Sequence, residues 1–329
     1  MTRRRFIREL ATLAGAAATV PGARALAQDA WPAKPIRLVH GFTAGGAVDI
    51  QARLLAQQLT ERLGQTAYVE GKPGAGGTVG ANFVAKAPPD GYTLFFMASG
   101  HSAAPGLYKS LPFDPAGDFT LASMVTRSPF VILAGPAAKS ATVRDLVAEA
   151  RAKPGGVDFG TGGIGTGMHL ASVLFQSRLG VQMTHVPYKG GNAPMMALMG
   201  GEVPYIFTSL AGNAVSQIQS GAVRALAVTS IDRYPGLPEV PTVAETVLPG
   251  FDVSAWYALA GPRGLPPAVV RRLNETVAQA LSDAEMLAAL KKQAAAPWPT
   301  TAAQAQSFVA EDIQRWTQVI RSENIAPET

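Results

Sequence analysis

Phe159-Gly160-Thr161-Gly162-Gly163-Ile164-Gly165-Thr166-Gly167-Met168-His169-Leu170 is the stretch on which the fold turns. A short strand around Val157–Phe159 runs into a glycine-rich loop, and the loop opens a helix over Met168–Leu179 that Gly180 stops. Glycines leave backbone N–H groups uncovered, and the start of a helix leaves its first four N–H groups without intrahelical partners. With the positive end of the helix dipole added, such a junction is a seat for a small anion. A carboxylate suits it.

The same rhythm of strand, glycine-rich loop and helix recurs on either side. Ile36–His40 reads as a strand. The loop Gly41-Phe42-Thr43-Ala44-Gly45-Gly46 follows, and then a helix with Asp49 in its first turn and Gly64 at its end. Ala67–Glu70, Tyr92–Met97, Val181–Val186, Val203–Phe207 and Val223–Thr229 read as further strands, with helices between them. Strands alternating with helices predict parallel sheets covered on both faces. Two apolar runs break the pattern, Phe119–Gly135 and Val253–Ala260, and are expected to cross between two lobes. The expected division is 28–132 plus 256–329 for one lobe and 133–255 for the other, an α/β pair with a cleft between. In open α/β sheets ligands sit in the loops at the carboxyl ends of the strands.

Composition narrows the function. Apolar residues make up 47% of the chain and charged residues 16%, as in a well-packed globular protein. The net charge of +5 misleads, because Arg3, Arg4, Arg5, Arg8 and Arg24, against Glu9 alone, fall within the first 27 residues and leave the remainder at +1. A nearly neutral body carries no electrostatic footprint for nucleic acid. With no cysteine, thiol catalysis, thiolate metal sites and disulfides are excluded. The first 27 residues combine this basic start with a mild apolar run, Leu10 to Val20, and the small-x-small end Ala25-Leu26-Ala27. They read as an export signal of twin-arginine type, cleaved to leave Gln28 first, with an ordinary secretory signal as the alternative. Outside the cytoplasm phosphorylated cofactors are scarce, and no cofactor or metal is expected.

Gly160-x-Gly162-x-x-Gly165 also spells a dinucleotide fingerprint. However, Val181–His185, about twenty residues on, lacks the acid that would hold a ribose. A Ser99, His101, Asp49 hydrolase is a further alternative, without the Gly-x-Ser-x-Gly elbow such enzymes use. His40, His101, His169 and His185 have no metal-ligand spacing. His101 and His169 stand at loop–helix junctions that could face a cleft, while Trp256 and Tyr257 on the return crossing read first as packing.

Seven segments carry a resemblance that runs in order through the chain: Pro35–Val39; Phe42-Thr43-Ala44-Gly45-Gly46 with Asp49; Pro73-Gly74-Ala75-Gly76-Gly77; Ala87-Pro88-Pro89-Asp90-Gly91-Tyr92-Thr93-Leu94; His185-Val186-Pro187-Tyr188-Lys189-Gly190; Arg224–Thr229; and Pro238–Glu245. Together they resemble the Bug-type extracytoplasmic solute receptors, the substrate-binding component of tripartite tricarboxylate transporters. The resemblance implies a monomeric, two-lobed periplasmic binding protein of type II, a Venus flytrap that closes on a small carboxylate and hands it to membrane permease subunits. It implies first-loop contacts from Phe42, Thr43, Ala44 and Gly45, and a wall from Ser99, Gly100 and His101. It further implies a carboxylate seat of Thr161, Gly162, Gly163, Gly165 and Thr166. From their positions, His169 is a further candidate ligand contact, Thr208 and Ser209 follow the strand Val203–Phe207 as others, and Lys189, the only cation in the seat region, either pairs with a distal ligand carboxylate or faces water. Thr208 stands where many members carry an acid, which argues against an amino acid as ligand. A receptor that presents the same acid to a membrane kinase has the same sequence signature.

Overall fold

In the computed structural model, residues 31–190, 192–211 and 213–322 are described; the expected export segment lies outside them. The chain begins as the alternation predicts, with β1 (Ile36–His40), α1 (Ala47–Leu63), β2 (Ala67–Gly71), α2 (Thr78–Ala85) and β3 (Thr93–Ala98). β1 pairs in parallel with both β2 and β3. A short 3-10 turn, Ser99–Ala103, and α3 (Ala104–Leu107) follow.

β4 (Phe119–Ala134) is the first crossing and runs without interruption for 16 residues. Its first part, Phe119 to Pro129, pairs with β9 (Ser254–Pro262), which in turn pairs with β3. Its last residues, from Phe130 to Ala134, lie between β7 (Tyr205–Ser209) and β8 (Arg224–Val228). One strand therefore belongs to two sheets. The first sheet runs β2-β1-β3-β9-β4, and the second runs β4-β7-β5-β6 with β8 on the other side of β4. β5 (Asp158–Thr161) and β6 (Thr184–Pro187) are parallel neighbours. The sheets are mixed where fully parallel ones were expected, because both crossing strands run antiparallel to their neighbours.

β9 alternates as the two-residue pleat demands, whereas β4 shifts its alternation at two irregularities in its pairing, between Leu121 and Ser123 and between Met124 and Thr126. Phe130, Ile132, Tyr257 and Leu259 face a core continuous between the lobes. Leu121, Met124, Trp256 and Ala258 face a second core, and Val131 and Leu133 a third. With both faces covered, neither run shows polar alternation, which is why each reads as an apolar block.

The helices end where their caps dictate. Thr142 and Asp145 form a reciprocal capping box on α4 (Val143–Ala152), and α5 (Gly167–Leu179) stops at Gly180 in the left-handed region. α6 (Ala193–Met199), α7 (Ala214–Gln219) and α8 (Val243–Thr246) complete the second lobe. α9 (Pro267–Ala280), α10 (Ala284–Lys292) and α11 (Ala302–Ser322) return to the first sheet, where β10 (Ala296–Pro297) pairs with β4.

Candidate functional site

Between the lobes lies a small cavity of about 60 Å³, with room for a handful of waters. Its walls come from three places. The first lobe supplies Phe42, Thr43 and the start of α1 at Gly46, Ala47 and Val48, together with Ala98, Ser99 and Gly100 after β3. The second lobe supplies Gly162, the start of α5 at Thr166, Gly167 and Met168, then Gly190 and Ser209. The crossing strands supply the floor: Phe130, Ala255 and Tyr257.

Two helix N-termini from opposite lobes thus open on one cavity. α1 has Gly46 at its N-cap and no side-chain cap, so its leading N–H groups keep their donor capacity. α5 is capped by Thr166, whose Oγ1 accepts from the His169 N–H at 3.4 Å, a bond that leaves the N–H groups of Gly167 and Met168 for another acceptor. No Asp, Glu, Lys, Arg or His lines the cavity among the described residues. Any charge placed here is met by dipoles and N–H groups against mostly apolar walls.

Single side chains add polar points. Thr43 Oγ1 is buried and has no hydrogen-bond partner among the described residues. The Ser209 hydroxyl accepts from the Ala211 N–H at 3.2 Å and is bonded to Tyr257. Burial pushes the Tyr257 phenol up to about 12, so it stays neutral. Its ring stacks on Phe96 at 5.4 Å.

The expected residues divide into those on the wall and those behind it. Phe42, Thr43, Ser99, Gly100, Gly162, Thr166 and Ser209 line the cavity; Ala44, Gly45, Gly163, Gly165, Lys189 and Thr208 do not. Thr161 is fully buried, and its hydroxyl is engaged behind the wall: His185 Nε2 lies 2.7 Å away and the Gly163 N–H donates to it at 3.2 Å. The Thr166 hydroxyl proton goes to the Gly163 carbonyl at 2.7 Å. Both hydroxyls therefore shape the loop, and the donors it offers are main-chain N–H groups. Lys189 is exposed.

The histidines do not reach the cavity. His101, expected at the cleft, is turned into an aromatic cage of Phe95, Phe113 and Phe119 and bonds the Pro115 carbonyl through Nε2 at 2.8 Å. Burial pushes it down to about 4. His169 stacks on His185 at 4.6 Å beneath the loop. Burial pushes both down to about 4, and His185 adds to the effect on His169. His40 accepts the Phe42 N–H on Nδ1, so its Nε2 carries the proton and donates to Asp49 at 3.1 Å. Asp49 also accepts from the Gly45 N–H and from Arg53. Burial alone would raise its carboxyl, but the bonds from Arg53, Gly45 and His40 outweigh it and hold the group below its ordinary range. Asp49 thus fixes the first loop and does not face the ligand space.

Gly46, Ala47, Val48, Ala98, Phe130, Gly190, Ala255 and Tyr257 line the cavity without having been singled out as ligand contacts, while Gly167 and Met168 line it at the helix start whose N–H groups were expected to seat an anion. The glycine-rich junction at residue 46 is the one sequence signal that could have found the α1 set. A larger groove of about 770 Å³ lies outside the cleft; Ser254 and Trp256, alternating with the cavity-facing Ala255 and Tyr257, line it. Among the described residues, no N-terminus of a long helix opens on that groove.

Comparison with known proteins bears on this geometry. The family profile described as tripartite tricarboxylate transporter family receptor matches residues 51–325. The chain is 37% identical to protein BugT of Bordetella pertussis over 306 residues, covering 92% of this chain and 94% of that one. Among solved structures, an R. palustris protein with adipate superposes with a TM-score of 0.86 at 34% identity, covering 91% of this chain and all of that one. MatC of Rhodopseudomonas palustris with bound malate superposes with a TM-score of 0.82 at 32% identity, covering 88% of this chain and all of that one.

Proposed function

We infer the function from one premise: this chain belongs to the tripartite tricarboxylate transporter receptor family. Its two lobes form the type II fold of the periplasmic binding proteins it resembles, and it is a periplasmic carboxylate receptor of such a transporter. The finer reading is ours. The ligand is a short aliphatic dicarboxylate lying across the cavity, one carboxylate on the α5 N-terminus at Gly167 and Met168, the other on the α1 N-terminus at Ala47 and Val48. Ser99, Ser209 and Thr43 add hydroxyls, and Phe42, Phe130 and Met168 flank the methylenes.

The convergence of two helix N-termini on a cavity without charged side chains carries this reading. Each dipole favours a carboxylate by about 0.3–1 kcal/mol at an exposed end and up to about 2 kcal/mol when partly buried, and each charge-assisted hydrogen bond adds about 1.5–3 kcal/mol. Micromolar binding needs about 8 kcal/mol, which a few such bonds supply. With no acid on the wall, an ammonium group has no partner, and amino acids are disfavoured.

We assign no catalysis: the chain captures its acid in monomeric form and delivers it to the membrane permease subunits. We place the lobes at 28–129 with 254–329, and 130–253, a few residues from the expected 132/133 and 255/256 because β4 changes sheets after Pro129 and Ser254 already pairs in the first sheet, and we place removal of the export signal at Ala27. Calorimetry of the mature protein against malonate, succinate, glutarate, adipate, citrate, glutamate and benzoate tests the reading. Succinate or adipate should bind at micromolar Kd, and glutamate at least tenfold more weakly than its amino-free counterpart glutarate. Tight glutamate binding, or no binding by any diacid, would overturn it.

A further inference from the structure

At Gly100 the lobes meet main chain to main chain, and beside it Tyr108 lies against both Gly76 and Gly165. A Cβ built on Gly100, in the first lobe, would lie 2.8 Å from the carbonyl oxygen of Gly165 in the second, and 3.5 Å from both the Gly167 nitrogen and the Thr166 Cα. A Cβ on Gly76 would lie 3.4 Å from the Gly165 backbone, and one on Gly190 would lie 3.1 Å from Thr43 Oγ1. Main chain closes on main chain at one rim of the cavity, and a hydroxyl on a glycine at another.

Such a seam differs physically from a side-chain interface. Side chains change rotamer to accommodate a bulkier cargo, whereas backbone in contact has no such freedom. The cavity enclosed behind it is only about 60 Å³. Either the ligand fits inside the closed seam, or the seam stays open and the first-lobe contacts are lost.

We propose that the glycine seam of Gly76, Gly100 and Gly165 is the size gauge of this receptor: it sets the longest acid that permits closure. The proposal rests on the carboxylate reading above. It assigns specificity to Gly76 and Gly165, which lie behind the cavity wall, and to Gly100 at its edge, through the fraction of molecules able to close. A ligand's apparent Kd rises as the closing-competent fraction falls.

Gly100→Ala is the test. Gly100 has no positive φ, so alanine suits its backbone and keeps its N–H; its methyl would meet the Gly165 carbonyl of the other lobe, and the interlobe distance separates obstructed closure from a direct clash with the ligand, which Gly100 also borders. Two spin labels, one per lobe, report the interlobe distance, and calorimetry follows diacids from three to eight carbons. In the parent protein, affinity should peak at a short diacid and fall at least tenfold by eight carbons, with the short interlobe distance seen only for the tight binders. In Gly100→Ala the best diacid should bind at least tenfold more weakly, the preference for short chains should flatten, and the distance should stay long. A parent-like length profile and closure in the variant would overturn the proposal. So would an eight-carbon diacid that binds the parent as well as the short ones. If no diacid binds the parent, the carboxylate reading has failed, and the seam is judged on distances alone: closure must still be less populated in unliganded Gly100→Ala than in the unliganded parent. Circular dichroism melting separates misfolding from obstruction, and Gly100→Ser repeats the test with a different side chain.

Discussion

Replacing Thr43 with valine should move ligand affinity and unliganded stability in opposite directions. The Thr43 hydroxyl is buried at the cavity wall, has no hydrogen-bond partner among the described residues and lies close to Gly190 of the other lobe. In the empty closed form that unmade bond costs about 1–3 kcal/mol. Valine keeps the branched shape and removes the hydroxyl, so the unliganded protein should melt at the same temperature or a higher one. When a carboxylate is bound, the same hydroxyl donates to a charged acceptor, a bond that contributes about 1.5–3 kcal/mol. Its loss should weaken binding by about 10- to 150-fold. Isothermal calorimetry with the best diacid measures the first quantity, and differential scanning calorimetry of empty protein the second. A Thr43→Val protein with affinity within twofold of its parent would refute the assignment of that hydroxyl to the ligand. A large drop in unliganded melting temperature would show that the hydroxyl has a structural partner instead.

Two further outcomes follow from the charge distribution. Met168→Glu puts a carboxylate on the α5 first turn at the cavity; at about 6 Å and an effective dielectric near 20, repulsion of the ligand amounts to about 2.8 kcal/mol. Affinity should fall about 100-fold, Met168→Gln should fall far less, and equal losses in calorimetry would sink the electrostatic argument. Stability should also depend on pH. His101, His169 and His185 sit at about 4 in the fold because burial disfavours their charged forms, while the unfolded chain holds histidine near 6.5. Between those values the unfolded state binds more protons, so stability is full above about pH 6.5 and is lost as pH falls toward 4. Urea unfolding at pH 7.5, 6 and 5 should show this decline, with a shallower slope in His101→Gln; parallel slopes would refute it.

Much of this was legible in the sequence because glycine and cap residues are local signals. The loop after Phe159 and the stop at Gly180 needed only neighbours a few residues away. The crossings were legible as apolar blocks without helical period, a consequence of burial on both faces. What stayed hidden was long-range. Thr161 looked like a ligand hydroxyl until His185, 24 residues on, was seen to engage it. His101 looked cleft-facing at its junction, but Phe113 and Phe119 draw it into the core. Phe130 and Tyr257 reach the cavity only because β4 and β9 cross there, and no spacing announces which of Trp256 and Tyr257 turns inward.

The 16 residues of β4 have a consequence for how the molecule comes apart. Phe119 to Pro129 complete one sheet and Phe130 to Ala134 the other, so no cut yields a fragment that keeps all its own strands. Separately expressed halves should fail to fold, and heating or urea should melt the whole body in a single cooperative step. A machine that works by the relative motion of two parts is, in its architecture, indivisible.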